Sequence, residues 1–216
     1  MITLYLDTTS SFLYTALIDD STVIAEIKEK LDNKLSEYTL PRIEEMLKVK
    51  GVSIDQIGKI IVVNGPGSFT GIRIGLTIAK TLAWAKNIPI IPISSLEAMA
   101  LSADGEYDYV VPTIDARRNY VYASIYDFKN NSFIMNEKHI LIDTLNVALD
   151  SLIGDVCYVS NDNINTEYDV QPYEPKIDKI VNCVKDREGV NPHSVDANYL
   201  KMTEAEEKKL SEEEND

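Results

Sequence analysis

The stretch Gly65-Pro66-Gly67-Ser68-Phe69-Thr70-Gly71-Ile72-Arg73-Ile74-Gly75 decides how this chain is read. It follows an apolar, β-branched run from Lys59 to Val63 and opens a helical pattern that continues to about Lys86. Gly65 and Gly67 permit positive φ or close backbone approach, and Pro66 stiffens the loop between them. Ser68 or Thr70 can cap the helix, and free amides at such an end could hold an anion. No Gly-Lys-Ser/Thr follows, so this is not a Walker loop. The glycine spacing and the lack of an acidic ribose ligand also make it a poor dinucleotide fingerprint. Within the helix, Gly71, Gly75, Ala79 and Ala83 recur at i, i+4 and form one ridge of small side chains. Ile72, Leu76 and Leu82 fill neighbouring positions. The ridge reads first as close packing against the helix at 35–50 within the chain, and second as a helix bundle with another subunit.

Working outward, Ile2 to Asp7, Phe12 to Ile18 and Thr22 to Lys28 read as three strands, the last two joined at Asp19-Asp20-Ser21. Residues 35–50 carry helical spacing, with Leu35, Thr39, Ile43 and Met46-Leu47 on one face and Gly51 as the stop. Lys59 to Val63 suits a sheet centre. Ile88 to Ile93, with Pro89 and Pro92, suits an edge or a strand end. Ser94 and Glu97 form a capping-box pattern for a helix from about Ser95 to Ser102. The first half thus reads βββ-α-β-α-β-α. Beyond Asp104-Gly105-Glu106, strands are expected at 109–114, 120–127 and 133–141. A helix capped by Asp143, a strand at 156–160, a polar loop at 161–175 and a helix at 178–186 follow. The repeated βββαβα pattern predicts an α/β chain of two lobes with mixed sheets and a cleft between them.

The 216 residues carry 21 Lys+Arg against 35 Asp+Glu, a net charge of -14. That balance argues against the chain being the main grip on a nucleic acid or an anionic membrane. The 44% hydrophobic content excludes a disordered chain. Cys157 and Cys183 build no disulfide framework and no metal spacing, and read as buried thiols of a reducing compartment. Met1 leads straight into a strand without a signal-like region. The most apolar stretch, 71–93, is interrupted by Arg73, Lys80 and Lys86, so no membrane span is expected. Residues 203–216 are strongly acidic and read as a solvated helix end.

The run GPGSFTGIRIGLTIAKTLAWAKNIPIIPISSLEAMA (65–100) resembles the TsaB (YeaZ) family. LYLDTTS (4–10), LSEYTLPRIEEML (35–47), IDARRNYVYASIY (114–126) and ANYLKMTEAEEKKL (197–210) extend the likeness over most of the chain, while 160–190 matches poorly. The resemblance implies a two-lobed fold of the actin/sugar-kinase/Hsp70 (ribonuclease H-like) type. Residues 1–103, with a returning C-terminal helix at 197–216, would form one lobe, and 104–196 the other. It implies a cytoplasmic, non-catalytic scaffold that binds the catalytic TsaD subunit and, through it, the TsaE ATPase. That complex transfers a threonylcarbamoyl group to the adenosine beside the tRNA anticodon. This chain would meet tRNA only indirectly, and would form a homodimer when the partner is absent.

The catalytic paralogue carries a His-x-x-x-His metal pair, a spacing that puts two imidazoles on one side of a helix. Ser95 and Met99 stand at those positions here, and His139 and His193 lie far apart in sequence. No metal site and no cofactor are expected. The nucleotide loops of the fold leave traces at Asp7-Thr8-Thr9-Ser10, at Asp115-Ala116-Arg117 and at Val159-Ser160-Asn161-Asp162. Ala116 replaces an expected glycine, and the third segment lacks paired glycines. The partner surface is placed on Leu35, Thr39, Ile43 and Leu47 of the first helix and on Gly71, Ile72, Gly75, Leu76 and Ala79 of the second. Gly75→Leu is then expected to spare the fold and weaken partner binding. Two other functions compete: a kinase or ATPase using Asp7 and Asp115 around Mg-nucleotide, and an anion sensor using the 65–71 loop.

Overall fold

The structure, a computed structural model, describes residues 1–130 and 132–201. The order of elements is β1 (Ile2–Asp7), β2 (Phe12–Asp19), β3 (Thr22–Lys30), α1 (Leu35–Lys50), β4 (Ile57–Val63), α2 (Phe69–Lys86), β5 (Ile90–Ile93) and α3 (Ser95–Leu101). Then come β6 (Tyr109–Asp115), β7 (Tyr120–Asp127), β8 (Ser132–Leu141), α4 (Ile142–Leu149), β9 (Val156–Val159), β10 (Asp169–Gln171) and α5 (Ile177–Val184).

The strands form two five-stranded mixed sheets, ordered β3-β2-β1-β4-β5 and β8-β7-β6-β9-β10. Each sheet has two antiparallel pairs from its opening meander and two parallel pairs beyond it. The two halves are therefore the same topology written twice. β1 and β4, inside the first sheet, are largely buried, as the predominantly apolar ITLYL and IIVV segments require. β5 sits at the edge, where Pro92 costs no ladder bond.

Three helical ends follow the expected capping. Gly51 closes α1 at φ 65°, and Ser68 Oγ accepts the Gly71 N–H at the start of α2. Ser94 Oγ accepts the Glu97 N–H, while the Glu97 carboxylate turns away to Arg187 instead of completing the box. At α4 the expectation fails. The cap position is Leu141, without a side-chain bond, and Asp143 lies inside the first turn.

α1 and α2 cover one face of the first sheet. Ile43, Met46, Ile72 and Leu76 pack there with Leu4, Leu6, Ile60 and Val62. The other face is covered by α3 and α5. α5 was expected with the 104–196 half, yet Ile177, Ile180, Val181 and Val184 join Tyr5, Ile61 and Ile91 in one core. Its apolar stripe has that face to cover, while α4 already covers the outer face of the second sheet. Burial of Cys157 agrees with expectation; Cys183, on α5, is exposed.

β10 lies inside the segment expected to be a loop. Its three residues hold a single apolar side chain, so no periodicity announces it, yet it pairs in parallel with β9. No helix joins β9 to β10, whereas the 18-residue α2 joins β4 to β5. Residues 197–201 of the expected returning helix are not helical. The Asn198 N–H donates to Asn64 O (2.8 Å) and the Asn64 side chain donates to Asp196 O (3.0 Å). These bonds seat the segment beside β4 and leave its amides no helical partner. The remainder of that expected helix, and the acidic 203–216, lie outside the described residues.

Candidate functional site

β1 ends at Asp7, and the turn to β2 is held from below by the glycine loop. The Ser68 N–H donates to Thr9 O (2.7 Å), and Thr8 Oγ1 donates to Gly71 O (2.7 Å). A Cβ on Gly67 would collide with Thr9 O, and one on Gly71 with Thr8 O. On Gly75 it would meet Thr8 Oγ1 at 2.5 Å. Gly71 and Gly75 thus let α2 approach the β1–β2 turn, while Ala79 and Ala83 pack into the core beneath the helix. The ridge is intrachain packing. Gly75→Leu would break the core, contrary to the expectation above.

All nine residues expected at a partner surface share that fate. Leu35, Thr39, Ile43, Leu47, Gly71, Ile72, Gly75, Leu76 and Ala79 are buried within the chain. Thr39 spends its hydroxyl on Leu35 O (2.7 Å). Small residues in a row say that something comes close, and a sheet satisfies that as well as a helix does.

What α1 and α2 leave uncovered is the neighbouring stripe. A cavity of about 450 Å³ runs between them, lined by Ser36, Phe69, Thr70, Arg73, Ile74, Thr77 and Ile78. Phe69 is 52% exposed and Trp84, further along α2, is 66% exposed. The Arg73 guanidinium lies 3.7 Å from the centre of the Phe69 ring, which stacks on Tyr199 at 5.3 Å. Arg73 Nε also donates to the Tyr199 hydroxyl (3.1 Å). The i, i+4 spacing of Thr70, Ile74 and Ile78 is legible in the sequence, one residue out of step with the ridge that drew attention.

The three expected nucleotide loops do converge. A cavity of about 850 Å³ is lined by Asp7, Thr9 and Ser10, by Asp115 and Arg117, and by Asn161 and Asp162, with Gly67 and Ser68 at its side. Asp7 is buried, and its Oδ1 accepts both the Thr9 N–H (2.8 Å) and the Thr9 hydroxyl (2.7 Å). Burial pushes its carboxyl up to about 6, against the lowering effect of those bonds. Beneath it, burial drives the Tyr5 and Tyr173 phenols well above their ordinary range and Tyr14 to about 12. Asp115 Oδ1 accepts the Arg117 N–H (2.9 Å), and Asp162 Oδ2 accepts the Asp115 N–H (2.8 Å). Asn161 is spent on the backbone of Tyr173.

The chemistry of this cleft is unfavourable for a bare anion. Asp7, Asp32, Asp115 and Asp162 line it against Arg117 alone among its basic side chains. The Ser68 and Gly71 amides at the start of α2 are already bonded within the chain. Ser95 and Met99 also line the cleft; both are buried, and Ser95 Oγ donates to Thr9 Oγ1 (3.2 Å). His139 stacks on Tyr120 in the second sheet, and His193 is exposed in the turn at 192–194. Among the described residues no group of three or more His, Cys, Asp or Glu is placed to hold a metal ion.

Residues 23–182 match the family model described as TsaD: tRNA N6-adenosine threonylcarbamoyltransferase. The tRNA threonylcarbamoyladenosine biosynthesis protein TsaB of Bacillus subtilis is 30% identical over 96% of this chain and 97% of its own length. The protein of the same description from Haemophilus influenzae is 40% identical over 56% of this chain and 52% of its own length. The solved structure of YeaZ from Pseudomonas aeruginosa shares the fold, with a TM-score of 0.78 over 92% of this chain and 99% of that one, at 22% identity.

Proposed function

Because the chain belongs to the TsaB (YeaZ) family of tRNA threonylcarbamoyladenosine biosynthesis proteins, we propose that it serves that modification as a non-catalytic subunit. It docks a TsaD-type catalytic subunit and, through it, a TsaE-type ATPase, in the cytoplasm. No helix among the described residues is long and apolar enough to cross a membrane. The observation that carries this reading is the uncovered groove between α1 and α2, where Phe69, Ile74 and Ile78 present apolar surface on a rigid helix. The docking surface is accordingly the outward stripe of these helices, and the buried residues behind it hold the stripe in place. In the partner's absence the same stripe would pair two copies of the chain. The bulk of the tRNA contact falls to the partner, since a charge of -14 repels a polyanion at long range.

The test is co-elution with the TsaD-type subunit in gel filtration. Thr70→Glu/Thr77→Glu places charge on exposed helical positions. It is expected to abolish the complex while leaving the thermal transition unchanged. A complex that survives removes the groove from the docking surface.

The convergence of Asp7, Asp115 and Asp162 on one cleft favours a second reading, a kinase or ATPase of the same fold. Against it, Asp7 is tied to Thr9 and Asp115 to its own turn. Calorimetry with Mg-ATP on the chain alone separates the two. Stoichiometric binding with turnover would replace the scaffold reading.

A further inference from the structure

The β6–β7 turn carries an arrangement that neither the fold nor partner docking uses. Arg117, Arg118 and Asn119 hold φ values of 67°, 55° and 61°, three consecutive non-glycine residues in the left-handed region. That conformation is costly for such residues and persists where the surroundings impose it. Here Ala116 and Tyr120 close the turn through Ala116 N–H to Tyr120 O (2.9 Å) and Tyr120 N–H to Arg117 O (3.0 Å). The turn displays two adjacent, exposed arginines. The chain has five arginines. Arg42 pairs with Glu29, Arg187 with Glu97, and Arg73 with Phe69 and Tyr199. The Arg117 and Arg118 guanidiniums have no partner among the described residues.

Directly after them, the Tyr120 ring, 36% exposed, stacks on His139 at 4.6 Å and 13°. Tyr122 stands behind His139 at 5.4 Å. The result is an aromatic stack at the end of two strands, preceded in the chain by two exposed arginines.

We infer that Arg117, Arg118 and the Tyr120–His139 stack form a contact for single-stranded RNA, in which an unpaired base stacks on Tyr120 and the flanking phosphates meet the two guanidiniums. Exposed π-faces beside arginine are what unpaired bases bind, whereas the bases of a duplex are already stacked. An acidic peptide would use the arginines and leave the rings idle. The overall charge limits the strength of this contact without cancelling it, because the repulsion is a long-range quantity and the patch is local. Arg117 also lines the cleft with Asp7, Asp32, Asp115 and Asp162, and these carboxylates moderate the contact. The contact deepens the proposed role in tRNA modification by giving this chain a small RNA surface of its own. It is measured on the chain alone, so failure of partner docking leaves it standing, and the reverse.

The experiment titrates the full chain into a fluorescein-labelled oligoadenylate at low salt, beside a duplex of equal length and a polyglutamate competitor. Oligoadenylate is expected to bind more tightly than duplex. Tyr120→Leu should weaken binding about tenfold, and Tyr120→Phe should restore it. Arg117→Ala/Arg118→Ala should weaken it and reduce the salt slope by about 1.4, two phosphates at about 0.7 each. Circular dichroism checks that every variant folds. Absence of saturable binding, equal binding of duplex, or indifference to Tyr120→Leu would overturn the proposal. Displacement by polyglutamate that ignores Tyr120→Leu would reassign the arginines to an acidic protein partner.

Discussion

The β1–β2 turn and the β6–β7 turn occupy equivalent places in the two halves and begin alike. Each starts at an aspartate ending the first strand of its sheet, and each aspartate accepts the N–H two residues on, at 2.8 Å and 2.9 Å. There the likeness stops. The first turn is buried under a glycine loop and an 18-residue helix, so its hydroxyls and amides are consumed by the chain itself. In the second half no helix joins β9 to β10, and the turn stands open with two arginines at its tip. One duplicated device has become structural in one half and remains available in the other. The groups that line the cleft between them are bonded mainly within the chain.

The largest expected contrast is steric. Gly71→Val should cost about 3 kcal/mol or more, because the neighbour it strikes is the Thr8 carbonyl and backbone cannot step aside. At the open turn, Ala116→Gly should cost under about 1 kcal/mol. Urea denaturation of both variants measures the difference, and equal costs would erase the distinction between a clamped turn and an open one.

The next contrast is electrostatic. Asp7 has a folded pKa of about 6 against an ordinary 3.8. A raised folded value means that the protonated form favours folding. The stabilisation is full below about pH 4 and is lost as pH rises through 6, a swing of roughly 2–3 kcal/mol. Asp7→Asn should flatten that decline, raising stability at pH 7.5 and not at pH 4. Thermal melts across this range decide it, and a profile unchanged by Asp7→Asn would contradict the burial assigned to that carboxylate.

The smallest contrast lies in the helix starts. Ser68→Ala removes the α2 cap and should cost about 1 kcal/mol. Asp143→Ala in α4 removes only a dipole interaction and should cost about 0.5 kcal/mol. Chemical denaturation resolves the pair, and reversal of their order would mean that Asp143 caps α4 after all.

Much of this was legible in the sequence because the first half obeys simple periodicities. The apolar Ile60–Val63 run of β4, Pro92 of β5, Gly51 and the Ser94 cap each name their own place. The second half is written more faintly. Asp169-Val170-Gln171 has too few apolar residues to show a strand, and its identity comes from pairing with β9, a long-range fact. The amphipathic stripe of α5 is visible, but which sheet it covers is not. At the candidate site, Asp7, Asp115 and Asp162, marked in the sequence by likeness to the fold's nucleotide loops, line one cavity. The nine residues expected at a partner surface are buried within the chain, because a ridge of glycine and alanine reports close approach without naming the element that approaches. Ile74 and Ile78, half-buried one position before the ridge, and the exposed Phe69 carried a second apolar pattern beside it.

The central claim is that the outer stripe of α1 and α2, and not the cleft, is the working surface. Calorimetric titration of the TsaD-type subunit with wild type, Thr77→Glu and Asp115→Asn tests it most directly. A loss of at least about tenfold in affinity for Thr77→Glu, a cost of about 1.4 kcal/mol or more, with Asp115→Asn binding as wild type, is the expected result. Undiminished binding by Thr77→Glu together with loss for Asp115→Asn would contradict it.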